Sequence, residues 1–320
     1  MSPDISVVIA AYNVEHYIER AINSALSQAD CAGAPSIEVI VIDDGSTDRS
    51  WEIISRIRDP RLQCSQLQRN SGPGAARNAG IARASGHWIA MLDGDDAFLP
   101  GRLARLMKLV TGQKANIAVD NLSVFRESDG TSFPMFSSSR LERLPLLSLA
   151  DFVAGNQSFM GGYALGYMKP LFSAAFLRQH GLYYQHDIRI GEDYLLLAQA
   201  LAMGARCVVD PKAGYLYTSR AGSVSHRLVK EDVLRIIASD ARLLSEYKFS
   251  PAAMKAQKKR ESHLKEAYTF ACLVEAIKGR QLSRALQAAA ESPLAVRHLW
   301  RAAWKRVQKI IPSTLVRKES

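Results

Sequence analysis

The chain has 320 residues, 48% of them hydrophobic, enough for one sizeable α/β domain with a helical appendage. No run approaches the roughly 20 apolar residues of a membrane-spanning helix, Ile5 to Ala11 is too short and lacks the basic flank of a secretory signal, and Cys31, Cys64, Cys207 and Cys272 have neither metal nor disulfide spacing, so a soluble protein of a reducing cytosol is expected. The formal charge of +10 is uneven: residues 1–250 hold 26 basic and 26 acidic side chains, residues 251–320 hold 15 and 5, and a neutral body therefore ends in a basic tail.

In chain order, residues 5–10 (Ile-Ser-Val-Val-Ile-Ala) predict a buried strand that ends at Ala11-Tyr12-Asn13, ahead of a helical pattern over 14–28. Residues 37–42 predict a second strand, ending at Asp43-Asp44-Gly45-Ser46 with a helix from about Thr47. A shorter strand over 62–66 precedes Asn70-Ser71-Gly72-Pro73-Gly74, where a helix carrying Ala75, Ala76, Ala79 and Ile81 begins. A fourth apolar run, 88–92, stops at Asp93-Gly94-Asp95-Asp96. Three acids this close repel one another, so a cation is their natural partner; a solvated acidic turn is the alternative, since Asp-Gly is an ordinary turn signal.

Strands and helices alternating through short polar joints predict a parallel sheet covered on both faces, with every strand end on one rim. Ala10 to Tyr12, Asp43 and Asp44, Asn70 to Arg77, and Asp93 to Asp96 then converge on one crevice. A dinucleotide-binding oxidoreductase is excluded, because Ala-Ala-Tyr-Asn stands where Gly-x-Gly-x-x-Gly would follow the first strand, and no Walker loop is present.

Four blocks, Ser-Val-Val-Ile-Ala-Ala-Tyr-Asn (6–13), Val-Ile-Asp-Asp-Gly-Ser-Thr-Asp-Arg-Ser (41–50), Asn-Ser-Gly-Pro-Gly-Ala-Ala-Arg-Asn-Ala-Gly-Ile (70–81) and Leu-Asp-Gly-Asp-Asp (92–96), resemble in sequence and order the signature of family 2 glycosyltransferases with the GT-A fold. Within that family the chain is most similar to bacterial exopolysaccharide enzymes such as succinoglycan-type glucosyltransferases. The resemblance implies a nucleotide-sugar donor, with Ala10, Tyr12, Asp43, Asp44, Asn70, Arg77, Asp93 and Arg220 around the nucleotide. Tyr12 offers a ring face to a base, or packs under its own loop. Of Asp43 and Asp44, the second is implied to read the uracil imide, and both can instead cap the following helix. Gly72 and Gly74 at a helix entrance free backbone N–H groups for an anion, and Arg77 adds positive charge. Asp93 and Asp95 form the family's Asp-x-Asp pair for Mg²⁺ or Mn²⁺, with Asp95 as the direct ligand and Asp93 facing the ribose or the ion's water shell.

Farther along, Gly191-Glu192-Asp193 opens an aliphatic helix. Acids in a first helical turn are expected on dipole grounds alone. The resemblance makes them the catalytic pair, Asp193 as the base for the acceptor hydroxyl and Glu192 orienting acceptor or sugar. One base with a departing diphosphate implies a single displacement that inverts the anomeric carbon. Residues 215–226 resemble the loop that closes over the diphosphate, from which Arg220 reaches phosphate and His226 completes the metal shell, although a His in a Ser/Gly loop is often simply exposed. Residues 122–162, with Ser137-Ser138-Ser139, read as a variable acceptor-side loop region.

The expected division is a GT-A catalytic domain over 1–228, its nucleotide-sugar half 1–110 and its acceptor side and lid 111–228, followed by a basic helical extension over 229–320. In that extension Ser292 and Pro293 start a helix on which Val296, Leu299, Trp300, Ala303, Trp304, Val307 and Ile310 oppose Arg297, Arg301, Lys305 and Lys309. Such a helix suits an anionic membrane surface through residues 292–311, or a brace on the catalytic domain; nucleic acid is not expected, since no binding module accompanies the charge. The function expected is an inverting, metal-dependent transfer from a UDP-sugar, UDP-glucose in particular, to a polyprenyl-diphosphate-linked saccharide at the inner face of the cytoplasmic membrane. The alternatives are a nucleotide-sugar-binding protein without turnover, which has no use for a base, and a sugar nucleotidyltransferase, which usually carries a Gly-rich basic loop after its first strand.

Overall fold

A computed structural model describes residues 2–30, 33–156, 163–186, 188, 190–220 and 230–281. Its first four strands are β1 (Ile5–Ala11), β2 (Ile37–Asp43), β3 (Leu62–Gln66) and β4 (Trp88–Asp93), joined by helices α1 (Ile18–Leu26), α2 (Ser50–Arg56) and α3 (Pro73–Arg83). β1, β2 and β4 are almost wholly buried and read as near-continuous aliphatic runs, as strands covered on both faces must. They pair in parallel, and their register sets Ala11 opposite Asp43 and Ala10 opposite Asp93. The strand ends that carry the signature residues thus share one rim. α1 starts later than its apolar pattern because Asn13, at φ 50°, turns the chain, and the amides of Asn13, Val14 and Glu15 bond to Ser46, Ser50 and Asp48 instead of entering a helix.

Beyond β4 follow β5 (Ala97–Phe98), α4 (Arg102–Gln113), β6 (Ile117–Arg126), β7 (Thr131–Pro134), α5 (Ser138–Glu142), α6 (Leu149–Ala154), β8 (Leu171–Ser173), α7 (Ala174–Gln179), α8 (Glu192–Ala202) and β9 (Cys207–Ser219). The sheet order is β3-β2-β1-β4-β8-β6-β9-β5, with β7 paired to β6. β8 runs antiparallel to both neighbours, and β5 and β7 are antiparallel to theirs, while β1 to β4 pair in parallel and β6 pairs in parallel with β9, so the sheet is mixed but mostly parallel. After β6 the chain returns through a hairpin at Asp129-Gly130 rather than a helical crossover, and only parallel pairing requires such a crossover.

Two expected loops are regular structure. Residues 122–154 contain the end of β6, β7, α5 and α6, because Val124, Phe136, Leu141 and Phe152 are core residues. Residues 215–219 belong to β9, where Tyr215 is fully buried between β5 and β6. Residues 221–229, including His226, lie outside the described residues.

Two long helices complete the described chain: α9 (Lys230–Glu246) packs against α8, and α10 (Pro251–Lys278) packs against α6 and α9. Ser250 caps α10 by accepting from the Ala253 amide, with Pro251 at its first position. Among the described residues no helix is long and apolar enough to cross a membrane. The amphipathic segment 292–311 lies outside them.

Candidate active site

On the nucleotide side the strand ends are held by local hydrogen bonds. Asp43 is fully buried and its oxygens accept from the Ser46 amide (3.0 Å), the Ser46 hydroxyl and Gln66 Nε2 (2.9 Å), which closes the turn after β2. Asp44 accepts the amides of Ser71 and Gly72, both at 2.8 Å, and so pins the loop before α3 to the end of β2. Gly72 caps α3 at φ 92°, a backbone conformation side chains rarely adopt. Tyr12 is 42% exposed, which leaves a ring face open at the rim beside Ala10. Asn70 is exposed in the same loop.

Arg77 does not face open space. α3 packs on β1 and β2 and turns Arg77 inward, where Nη2 meets Asp93 Oδ1 at 2.6 Å and Nη1 meets Glu192 Oε1 at 2.8 Å. Asp193 Oδ1 stands 3.7 Å from the same nitrogen, and the guanidinium lies 5.1 Å from the Tyr184 ring centroid. A second cation enters from the other side: Lys169 Nζ bridges Asp93 Oδ2 (2.7 Å) and Asp193 Oδ2 (2.5 Å). Two cations and three carboxylates therefore share one buried cluster at the ends of α3, β4 and α8.

Ions taken out of water this completely cost several kcal/mol each unless they are compensated. Burial opposes the charge on Lys169 and on Arg77, but Asp193 and Asp93 outweigh it and hold both far above their ordinary pKa. Burial would likewise raise Asp93, yet Lys169 and Arg77 keep its carboxyl well below the usual carboxylate range. Glu192 goes the other way: burial lifts its pKa, with Arg77 only partly offsetting. Asp193 keeps one atom in reserve. Its Oδ1 is buried and accepts no hydrogen bond.

At the rim, Asp95 is paired with Arg220, Nε to Oδ2 at 3.0 Å, while its carbonyl accepts from Arg20 Nη2 at 2.7 Å. Burial and the neighbouring Asp93 charge raise its pKa, marking a carboxylate short of positive charge. Asp96 is buried and structural: it accepts from the Tyr215 hydroxyl (2.8 Å) and the Thr218 amide (2.8 Å), tying β9 to the acidic turn. Among the described residues no group of three His, Cys, Asp or Glu side chains could hold a metal alone. A divalent ion fits here on one condition. Asp93 has both oxygens committed to Arg77 and Lys169, so Asp95 is the carboxylate that would hold such an ion, with water and substrate phosphates supplying the other ligands.

The sequence-predicted residues Ala10, Asp43, Asp44, Arg77, Asp93, Asp95, Glu192, Asp193 and Arg220 all reach this rim or the cluster behind it. Lys169 was not foreseen. Its only signal is a lone charge within Tyr-Met-Lys-Pro-Leu-Phe, an apolar stretch in which a Lys must find a carboxylate when buried.

A mixed sheet whose first strands end in a base-sized aromatic, an acid-pinned glycine loop and an Asp-x-Asp turn, facing a helix that starts with two largely buried acids, defines a GT-A glycosyltransferase. The family model described as "Glycosyl transferase family 2" matches residues 6–176. Succinoglycan biosynthesis protein ExoO of Rhizobium meliloti is 46% identical over 93% of this chain and 84% of its own length. UDP-Glc:alpha-D-GlcNAc-diphosphoundecaprenol beta-1,3-glucosyltransferase WfaP of Escherichia coli is 34% identical over 42% of this chain and 51% of its own. In structure, S. aureus TarS 1-349 in complex with UDP-GlcNAc superimposes with a TM-score of 0.62 at 20% identity, over 91% of this chain and 80% of that one. The chain belongs to glycosyl transferase family 2.

Proposed function

We propose that the chain transfers a hexose, glucose in particular, from a UDP-sugar to a saccharide acceptor with inversion, as a step in building an exopolysaccharide. The observation that carries this reading is Asp193. Lys169 holds its Oδ2, while Oδ1 is buried with no hydrogen-bond partner, an acceptor for one incoming hydroxyl. Oδ1 takes the hydroxyl proton, the acceptor oxygen bonds to the anomeric carbon, and the bond from that carbon to the diphosphate breaks. With one displacement an α-linked donor gives a β-glycoside.

Tyr12 stacks on the uracil, Asp44 reads its imide, and Arg77 with Lys169 keeps Asp93 ionised next to the ribose. Asp95, joined by His226 from outside the described residues, would hold Mg²⁺ or Mn²⁺ together with the donor diphosphate, and the ion would stabilise the charge of departing UDP. Arg220 is the residue placed to exchange Asp95 for phosphate when donor arrives. The names of the two curated relatives support a succinoglycan-like product and a diphosphopolyprenol-linked acceptor. The basic, Trp-bearing sequence of 292–311 supports docking of the chain to the anionic inner face of the cytoplasmic membrane.

The test is a panel of UDP-, GDP- and dTDP-sugars with Mn²⁺, followed by NMR of the released or transferred sugar. UDP release from UDP-glucose with a β product is expected. Turnover of only GDP- or dTDP-sugars, or retention of the α configuration, would contradict the reading.

A further inference from the structure

Three buried residues join α9 to α10, and one of them, Arg260, also reaches Tyr194 on α8 and Asn156 after α6. Arg260 on α10, 5% exposed, donates from Nε to Asp240 Oδ2 on α9 at 2.7 Å and from Nη1 to the Asn156 carbonyl at 2.6 Å. Gln257 Nε2 donates to the same Asp240 oxygen at 2.9 Å. The Arg260 guanidinium lies 3.9 Å from the ring centroid of Tyr194, on which Phe152 also stacks at 5.3 Å. Tyr194 is the residue after Asp193. Asn156, in turn, accepts the Gly166 amide on its Oδ1 at 2.7 Å, and a Cβ added at Gly166 would stand 3.2 Å from Tyr194 Cβ. The short turn Leu165–Tyr167 held there leads directly to Lys169.

α8 needs such a hold. It begins at Gly191, φ 93°, with no side-chain cap, so nothing local fixes the direction in which Glu192 and Asp193 emerge. Arg260 fixes it from outside, through Tyr194 on one arm and through Asn156 and the 165–167 turn on the other.

We infer that Arg260 is a positioning residue for the transfer step: from the C-terminal helix pair it sets the two elements whose side chains form the Lys169–Asp193 contact. The inference rests on Asp193 being the base, and it makes α9–α10 a working part of the acceptor half, although Arg260 lies 84 residues past the end of the family match at residue 176. A buried ion pair present for stability alone is replaceable by apolar side chains of similar volume, often without loss. A positioning role is not, because a misplacement of about 1 Å at the reacting groups costs up to about 10²-fold in rate.

The experiment is the full chain carrying Arg260→Met together with Asp240→Leu, compared with wild type by thermal unfolding, by UDP calorimetry, and by UDP release from UDP-glucose, UDP-galactose and UDP-N-acetylglucosamine with Mn²⁺. A Tm and a UDP affinity close to wild type with kcat lower by about 10- to 100-fold at unchanged donor KM is expected. Recovery of wild-type kcat along with the Tm makes Arg260 a brace only and overturns the inference. Should the double variant lose its Tm, Arg260→Lys decides in its place, since it keeps the charge against Asp240 but not the forked reach to Asn156: lowered kcat at unchanged UDP affinity supports positioning, and wild-type kcat overturns it. Asp193→Asn run alongside keeps the two readings apart, because full turnover there removes the base assignment whatever Arg260 does.

Discussion

Asp44 uses its carboxylate on the amides of Ser71 and Gly72, 27 and 28 residues along the chain, whereas Arg77 reaches Glu192 across 115 residues. On the nucleotide side, then, the site residues of β2 are satisfied by backbone N–H groups and short side chains of neighbouring loops. On the transfer side, Lys169, Arg77, Asp93, Glu192 and Asp193 pair with one another, inside a cluster drawn from elements far apart in the chain. A region built from local bonds tolerates the loss of a single partner. A cluster of buried charges does not, since each lost ion leaves others uncompensated.

The sharpest way to break this contrast is Arg77→Met. It leaves Asp93, Glu192 and Asp193 with Lys169 alone, and unfolding in urea should show a loss of about 3–5 kcal/mol; a loss below about 1 kcal/mol would mean water reaches the cluster. Asp44→Asn should do less. One of the two loop amides then faces an NH₂ group, so stability falls by about 1.5–3 kcal/mol and UDP binding weakens by about tenfold, while kcat at saturating donor stays near wild type, because none of the cluster's ion pairs involves that loop. Calorimetry and saturation kinetics on one preparation separate these effects.

The smallest change is expected at Asp59, before β3, where the Arg61 side chain and amide hold its carboxyl down from 3.8 to about 2. A depressed folded pKa contributes stability that is complete above pH 3.8 and lost as pH falls through about 2. Asp59→Asn should therefore remove a slight acid-side slope over that window and change stability at neutral pH by less than about 1 kcal/mol, the usual worth of an exposed pair. Acid titration of the unfolding midpoint measures it.

The same contrast explains what was legible in the sequence. β1, β2 and β4 announce themselves as aliphatic runs, and the residues that end them need only the parallel register to come together, so Asp43, Asp44, Asp93 and Asp95 could be placed from spacing alone. Arg77 was placed on the correct helix, but its carboxylate neighbours were not foreseen: nothing in residues 70–81 says that α3 turns it toward α8. Lys169 and Arg260 act through partners on other elements, and a sequence carries no local mark of an ion pair that forms only when the second half packs. β8 was hidden by its length of three residues, and with it the mixed sheet. Tyr215 to Ser219 looked like the start of a glycine-serine lid because they adjoin a stretch rich in Gly and Ser in the sequence, although the alternating Tyr215 and Tyr217 already fit a strand paired on both sides.

The central claim is that Asp193, held by Lys169, is the base of an inverting transfer, and single-site kinetics on Asp193→Asn test it most directly. The side chain keeps its shape and loses its proton affinity, so UDP binding by calorimetry should match wild type while UDP release from the sugar donor slows by about 10² to 10⁴. Turnover at the wild-type rate with intact UDP binding would contradict the account and move the search for the base to Glu192.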